Sequence, residues 1–120
     1  MSIATDLASL EVLAKILKKK ELDQILNECV KTLNKEVPNF DWVGIYLHKG
    51  PETHLVAASD LHHHLDGEAN AQLSIPLENN SQEQMGKIVI RSKDPFCFDT
   101  TDVTTLETLA RELSLRLLVH

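Results

Sequence analysis

Residues 41–58 run Asp41-Trp42-Val43-Gly44-Ile45-Tyr46-Leu47-His48-Lys49-Gly50-Pro51-Glu52-Thr53-His54-Leu55-Val56-Ala57-Ala58. Segment 41–48 is aromatic and β-branched, the composition of a strand. Lys49-Gly50-Pro51-Glu52 is a turn by its Gly-Pro pair. His54 to Ala58 is the returning strand, so the two segments predict a hairpin. Side chains alternate along a strand, so Trp42 and Tyr46 point to the same face.

Downstream, Leu73, Ile75 and Leu77 alternate with Gln72, Ser74 and Pro76, which predicts a third strand. Met85 to Ser92 is a fourth, centred on Ile88-Val89-Ile90. Between the second and third strands, Ser59 to Ala69 shows no clear period and carries the turn signal Asp66-Gly67. Upstream, Leu7, Leu10, Ala14 and Leu17 form an apolar stripe at helical spacing. Leu22, Ile25, Leu26, Cys29, Leu33 and Val37 form a second stripe, which Pro38 ends. Spacing leaves open whether these are two helices or one kinked helix. At the other end, Asp99 and Asp102 make a capping-box-like start, and both carboxylates favour the positive end of the helix dipole. Val103, Leu106, Ala110, Leu113 and Leu117 form the stripe of that last helix, and Leu109, Leu115, Leu118 and Val119 broaden it. The order α-α-β-β-β-β-α predicts an α+β fold.

The chain has 120 residues, 42% of them apolar and 25% charged, which is ordinary soluble composition for one domain. No apolar run approaches the ~18 residues of a membrane span. The N-terminus lacks the basic start and apolar core of a signal peptide, so the expected location is cytoplasmic, with no membrane partner. Twelve basic and 18 acidic residues leave a net charge of −6. Such a surface repels phosphate backbones unless basic residues cluster. The one cluster, Lys18-Lys19-Lys20, has the pattern of a solvated face, and no aromatic residue sits among basic ones. Nucleic acid is therefore not an expected partner. Two cysteines, Cys29 and Cys97, are too few for a disulfide scaffold.

The conspicuous polar constellation is His62-His63-His64. In an extended segment His62 and His64 share a face and could bind a metal, with Asp60 or Asp66 adding an oxygen. The alternative is a solvated loop, since no cysteine stands at zinc-site spacing. Cys29 lies on an apolar stripe, as a small buried hydrophobe. Cys97 precedes the last helix, where the dipole can lower a thiol pKa; the alternative is a packing role. No Gly-rich phosphate loop, Ser-His-Asp order or paired-carboxylate motif is present, and no cofactor is implied.

Three stretches together resemble the GAF domain, a small ligand-sensing fold. They are the helix leading into Asp41 to Leu47, then Leu73-Ser74-Ile75-Pro76-Leu77 followed by Gly86 to Ile90, then Phe98-Asp99-Thr100-Thr101-Asp102 running into Leu106 to Ala110. The resemblance implies a GAF-like antiparallel sheet flanked by N-terminal and C-terminal helices. Residues 1–19 would be an N-terminal helix serving dimerisation, and 20–120 the GAF-like domain. The 41–47 stretch and the run from His64 to Pro76-Leu77 are most similar to the free methionine-(R)-sulfoxide reductase group. Leu65 to Ala69 holds no cysteine where that group has its nucleophile. Gln72 stands in place of a substrate-holding glutamate, and Arg91 in place of a carboxylate. The lid, Asp60 to Ala71, is shorter. The resemblance thus implies a non-catalytic, signalling or regulatory domain for ligand sensing or self-association. A small-molecule ligand would meet Trp42, Tyr46, Gln72 and Arg91. A residual reductase using Cys97 is the alternative. The surplus of apolar helical surface predicts a homodimer through the terminal helices.

Overall fold

The computed structural model describes Thr5, Leu7, Leu10, Glu11, residues 21–79 and residues 81–118, with Leu118 described by its backbone alone. Most of the expected helix over 1–19 therefore lies outside the described residues; the four that are described are helical. Val119, counted in the last stripe, also lies outside them.

The remaining elements are α1 (Leu22–Glu36), β1 (Trp42–Lys49), β2 (Glu52–Ala58), β3 (Ala71–Glu78), β4 (Gln84–Ser92) and α2 (Thr100–Leu118). The strands form one antiparallel sheet in the order β2-β1-β4-β3. The α+β expectation matches this architecture. Pro76 sits in β3, an edge strand, where its missing N–H costs no ladder bond on the open side.

One face of the sheet carries Val43, Ile45, Ala57, Ile75, Leu77, Ile88 and Ile90, all buried. Against it pack Ile25, Leu26, Cys29, Val30 and Leu33 of α1 and Leu106, Leu109, Ala110 and Leu113 of α2. Helix α1 lies over β1 and β2, and α2 over β3. The last bond of α1 runs from the Val37 N–H to Leu33 O at 3.2 Å, and Pro38 follows. Between β1 and β2 the register slips after Ile45, so Val56 is an extra residue facing the helices beside Ala57.

The start of α2 is a reciprocal capping box. The Asp102 N–H donates to Asp99 Oδ1 at 2.8 Å and the Asp99 N–H to Asp102 Oδ2 at 3.2 Å. Asp102 is fully buried, and its Oδ1 accepts the Thr5 hydroxyl at 2.8 Å. One carboxylate thus caps a helix and anchors the N-terminal segment.

Leu109 corrects the count of surplus apolar surface. It is 0% exposed and belongs to the core. A helix lying on a sheet buries a stripe at least ~100° wide, which takes in Leu106, Leu109, Ala110 and Leu113 together. Leu115 is exposed, as are Leu7 and Leu10 at 63% each.

Candidate functional site

The other face of the sheet can be read row by row from the strand register. Gln72, Arg91 and Trp42 stand side by side across β3, β4 and β1. The next row on this face is Ser74, Val89, Gly44 and Ala58, and the row after it Pro76, Lys87 and Tyr46. Pairing therefore brings Trp42, Gln72 and Arg91 together and leaves Tyr46 on the same face two rows away.

Trp42 is 0% exposed although no described helix covers it. Its indole lies flat over Gly44: a Cβ there would come within 2.2 Å of ring carbon Cη2. The indole N–H donates to Asp60 O at 2.9 Å. The ring packs with Ala58, Leu65 and Val89 in a second apolar cluster, which Tyr46 and Leu55 extend. The Lys87 ammonium lies 5.5 Å from the centre of the Tyr46 ring.

Arg91 is the charged centre of this face. Its side chain is 12% exposed, and the guanidinium carbon lies 4.6 Å from the centre of the Trp42 ring. Nε–H donates to Gln72 Oε1 at 2.9 Å. Nη1–H donates to His64 O at 2.8 Å and to Asp66 Oδ1 at 2.8 Å. A guanidinium stacked on an indole and held by a neighbouring amide is oriented to meet a carboxylate.

The loop between β2 and β3 lies across this row. The His62 N–H donates to Asp60 Oδ1 and holds the Asp60 carboxyl below the usual carboxylate range, the His63 N–H adding to the effect. The His64 ring stacks on Trp42, centroid to centroid 5.2 Å, at an angle of 40°. Its Nε2 lies 3.0 Å from Leu61 O. A carbonyl can only accept, so Nε2 carries the hydrogen. Leu65, 8% exposed, adopts a left-handed backbone with φ 58°. The Ala69 N–H bonds to Leu65 O at 3.1 Å and the Asn70 N–H to Ser92 O at 2.8 Å.

His62 and His64 do not pair across an extended segment. The His62 side chain is exposed, and His63 turns to Glu68 at 3.1 Å. Among the described residues no group of three or more His, Cys, Asp or Glu is arranged to hold a metal ion. The contributions of His64 and Asp66 to the Arg91 row were not visible from spacing, because their loop is aperiodic.

Cys97 lies in the helix-side core, 3% exposed, with its Sγ 3.6 Å from Asn39 O. Burial pushes its thiol pKa up, not down. The sulfur belongs to the cluster of Val43 and Ile45, whereas Trp42 and Tyr46 belong to the opposite face of β1. This removes the expectation of a Cys97 nucleophile, because a thiol that cannot reach the rings cannot attack a ligand held there. Cys29 is fully buried, and desolvation pushes its thiol up to about 12. A groove of about 350 Å³ between β3 and α2, lined by Pro76, Glu78, Glu107 and Arg111 among others, holds none of the expected site residues.

A scan against protein-family models and a search of curated protein sequences find no match. Solved structures do match. The GAF domain of an Acinetobacter phosphoenolpyruvate-protein phosphotransferase superposes with a TM-score of 0.80 at 18% identity, covering 93% of this chain and 91% of that one. The chain has the GAF fold. Free methionine-R-sulfoxide reductase from Neisseria meningitidis, solved in complex with its substrate, gives a TM-score of 0.78 at 17% identity, covering 91% of this chain and 85% of that one. The GAF domain of a putative sensor histidine kinase from Pseudomonas syringae pv. tomato gives 0.76 at 14% identity, covering 98% and 90%. Among the described residues, no helix of this GAF fold is long and apolar enough to cross a membrane.

Proposed function

We propose that the chain is a non-catalytic regulatory GAF-fold domain that senses a small molecule on the outer face of its sheet, at Trp42, Tyr46, Gln72 and Arg91. The observation that carries this reading is the Arg91 guanidinium, 12% exposed and stacked over Trp42 on a sheet face that no described helix covers. That cation is oriented by an aromatic face and an amide, and its present anion, the 73% exposed Asp66, is of the weak and exchangeable kind. The fold likeness supports the reading, since the Neisseria reductase was solved with its substrate. The cysteine chemistry does not carry over, because both thiols of this chain are buried in the helix-side core.

A thermal-shift screen with amino acids, cyclic nucleotides and tetrapyrroles tests it, with Trp42, the single tryptophan, as fluorescent reporter. A ligand at 100 times its Kd stabilises by about 2.7 kcal/mol, a rise of several degrees in Tm. The expected result is such a shift from at least one class, lost in an Arg91→Gln variant. Uniform silence across the screen removes the sensing reading.

Self-association through the terminal helices is the second reading, favoured by the 63% exposure of Leu7 and Leu10 on helical backbone. Light scattering at micromolar concentration is expected to give about 27 kDa, as two-fold pairing of a 13.5 kDa chain requires. The pair Leu7→Glu, Leu10→Glu is then expected to give a monomer, since a charge in a desolvated interface costs several kcal/mol. A mass near 13.5 kDa for the unaltered chain defeats this reading.

A further inference from the structure

The loop across the outer face shows what chemistry that face accepts. Two of its groups sit on the two recognition elements at once. The His64 ring lies on the Trp42 indole, and the Asp66 carboxylate meets Arg91 Nη1 at 2.8 Å. We infer that the ligand of this face is a small planar-ring carboxylate, and that His64–Asp66 is an internal stand-in which such a ligand displaces. The inference rests on the sensing reading above and adds to it the ligand class and a mode of regulation.

Three observations separate host from occupant. The Arg91 side chain is 12% exposed while its partner Asp66 is 73% exposed. The cation is built into the sheet, and the anion reaches it from solvent. Ion pairs with an exposed member are weak and exchangeable. Second, Gln72 Oε1 on β3 holds Arg91 Nε independently of the loop. The fork stays aimed when the loop leaves, and Nη1 passes from Asp66 Oδ1 and His64 O to the incoming carboxylate. Third, Leu65 links the two stand-in groups through a left-handed backbone, φ 58°, which a branched side chain adopts only under constraint. Releasing that backbone offsets part of the cost of withdrawing the Leu65 side chain, 8% exposed, from its cluster with Trp42, Ala58 and Val89.

The ring requirement follows from Trp42. Its indole face is covered by an aromatic ring and by a guanidinium, so a flat group replaces the His64 imidazole with least loss of contact. The charge requirement follows from Arg91, because the carboxylate it now holds has to be replaced by another acceptor of equal charge. Displacement by an external ligand is a competition with a tethered group, so the apparent affinity is the intrinsic affinity multiplied by the fraction of loop-open molecules.

The test is calorimetric titration of the full chain with benzoate, nicotinate and imidazole-4-carboxylate, and with the corresponding carboxamides. The expected result is that at least one of the carboxylates binds the unaltered chain and binds the Asp66→Asn variant at least tenfold more tightly, while the carboxamides bind neither. Asp66 is exposed, so this variant keeps its fold. In the unaltered chain the bound carboxylate is expected to raise amide hydrogen exchange of Ala69, now bonded to Leu65 O. Equal or weaker affinity in Asp66→Asn overturns the stand-in, because the loop would then belong to the bound site. Carboxamide binding as tight as carboxylate binding overturns the charge requirement. If Asp66→Asn binds none of the three carboxylates but the broader screen yields a ligand lost in Arg91→Gln, the inference falls and the sensing reading stands. If neither the unaltered chain nor Asp66→Asn binds anything of any class, both fall.

Discussion

Gly44→Ala is expected to destabilise the protein by about 2–3 kcal/mol, the cost of overpacking a filled site. For a chain of this size that lowers Tm by about 6–12 °C. The added Cβ would lie 2.2 Å from Trp42 Cη2 and 2.7 Å from Cζ3. Real carbon contacts do not come so close, so the indole has to move. It is poorly free to do so: the ring is 0% exposed, its N–H is bonded to Asp60 O at 2.9 Å, and His64 and Arg91 cover it. Displacing it breaks up the Trp42–Arg91 row as well as the packing. Thermal melts read the stability. A red shift of the tryptophan emission, with the indole driven toward water, reads the displacement. A loss below about 0.5 kcal/mol, the scale of an ordinary surface substitution, with unchanged emission, shows that the ring is not pinned over Gly44.

Asp102→Ala is the second large effect, expected at about 2–4 kcal/mol. Removal of a capping side chain costs ~1 kcal/mol. The Thr5 hydroxyl, buried at 0% exposure, loses the hydrogen bond it donates at 2.8 Å, and breaking a buried bond to a carboxylate costs about 1–3 kcal/mol. The two contributions come from different ends of the chain, so they can be separated. Thr5→Val removes the donor and leaves the buried Asp102 Oδ1 without it, so it is expected to cost about 1–3 kcal/mol. A double-mutant cycle of the two substitutions is expected to show a coupling of about 1–2 kcal/mol. Additive costs show that Asp102 serves the helix start alone. Denaturant unfolding of the four proteins measures the cycle.

The elements themselves were legible because each depends on neighbours in the chain. Leu73, Ile75 and Leu77 alternate with polar residues, and in β3 the latter two are buried while Gln72, Ser74 and Pro76 are exposed. Pro38 stops α1 because it carries no N–H. Asp99 and Asp102 cap α2 at the spacing that lets each side chain reach the other's backbone N–H. Leu109 is core rather than surplus surface, because a stripe on a helical projection does not show how wide a sheet the helix will lie on.

The site was legible only in part. Alternation places Trp42 and Tyr46 on one face by local geometry. That Gln72 and Arg91 join Trp42 in one row is a matter of register between β3, β4 and β1, and register is set by strand pairing over the whole sheet. The loop from 59 to 70 has no period to read. Its course follows from tertiary contacts, among them Asp60 O on the Trp42 N–H, the His64 ring on the indole, and Asp66 on Arg91. Cys97 shows the same division. Its place before a helix suits either a reactive thiol or a packed one, and the turn after β4 carries it into the core beside Phe40 and Phe98.

What this sequence determines by itself is therefore the order and type of its elements, the caps and breaks of its helices, and the two faces of each strand. These follow from hydrogen bonding and side-chain period within a few residues. Tertiary structure alone decided which row holds the charge, what covers it and which cysteine is out of reach, because those contacts join residues far apart in the chain and form only when the sheet and its loop are closed.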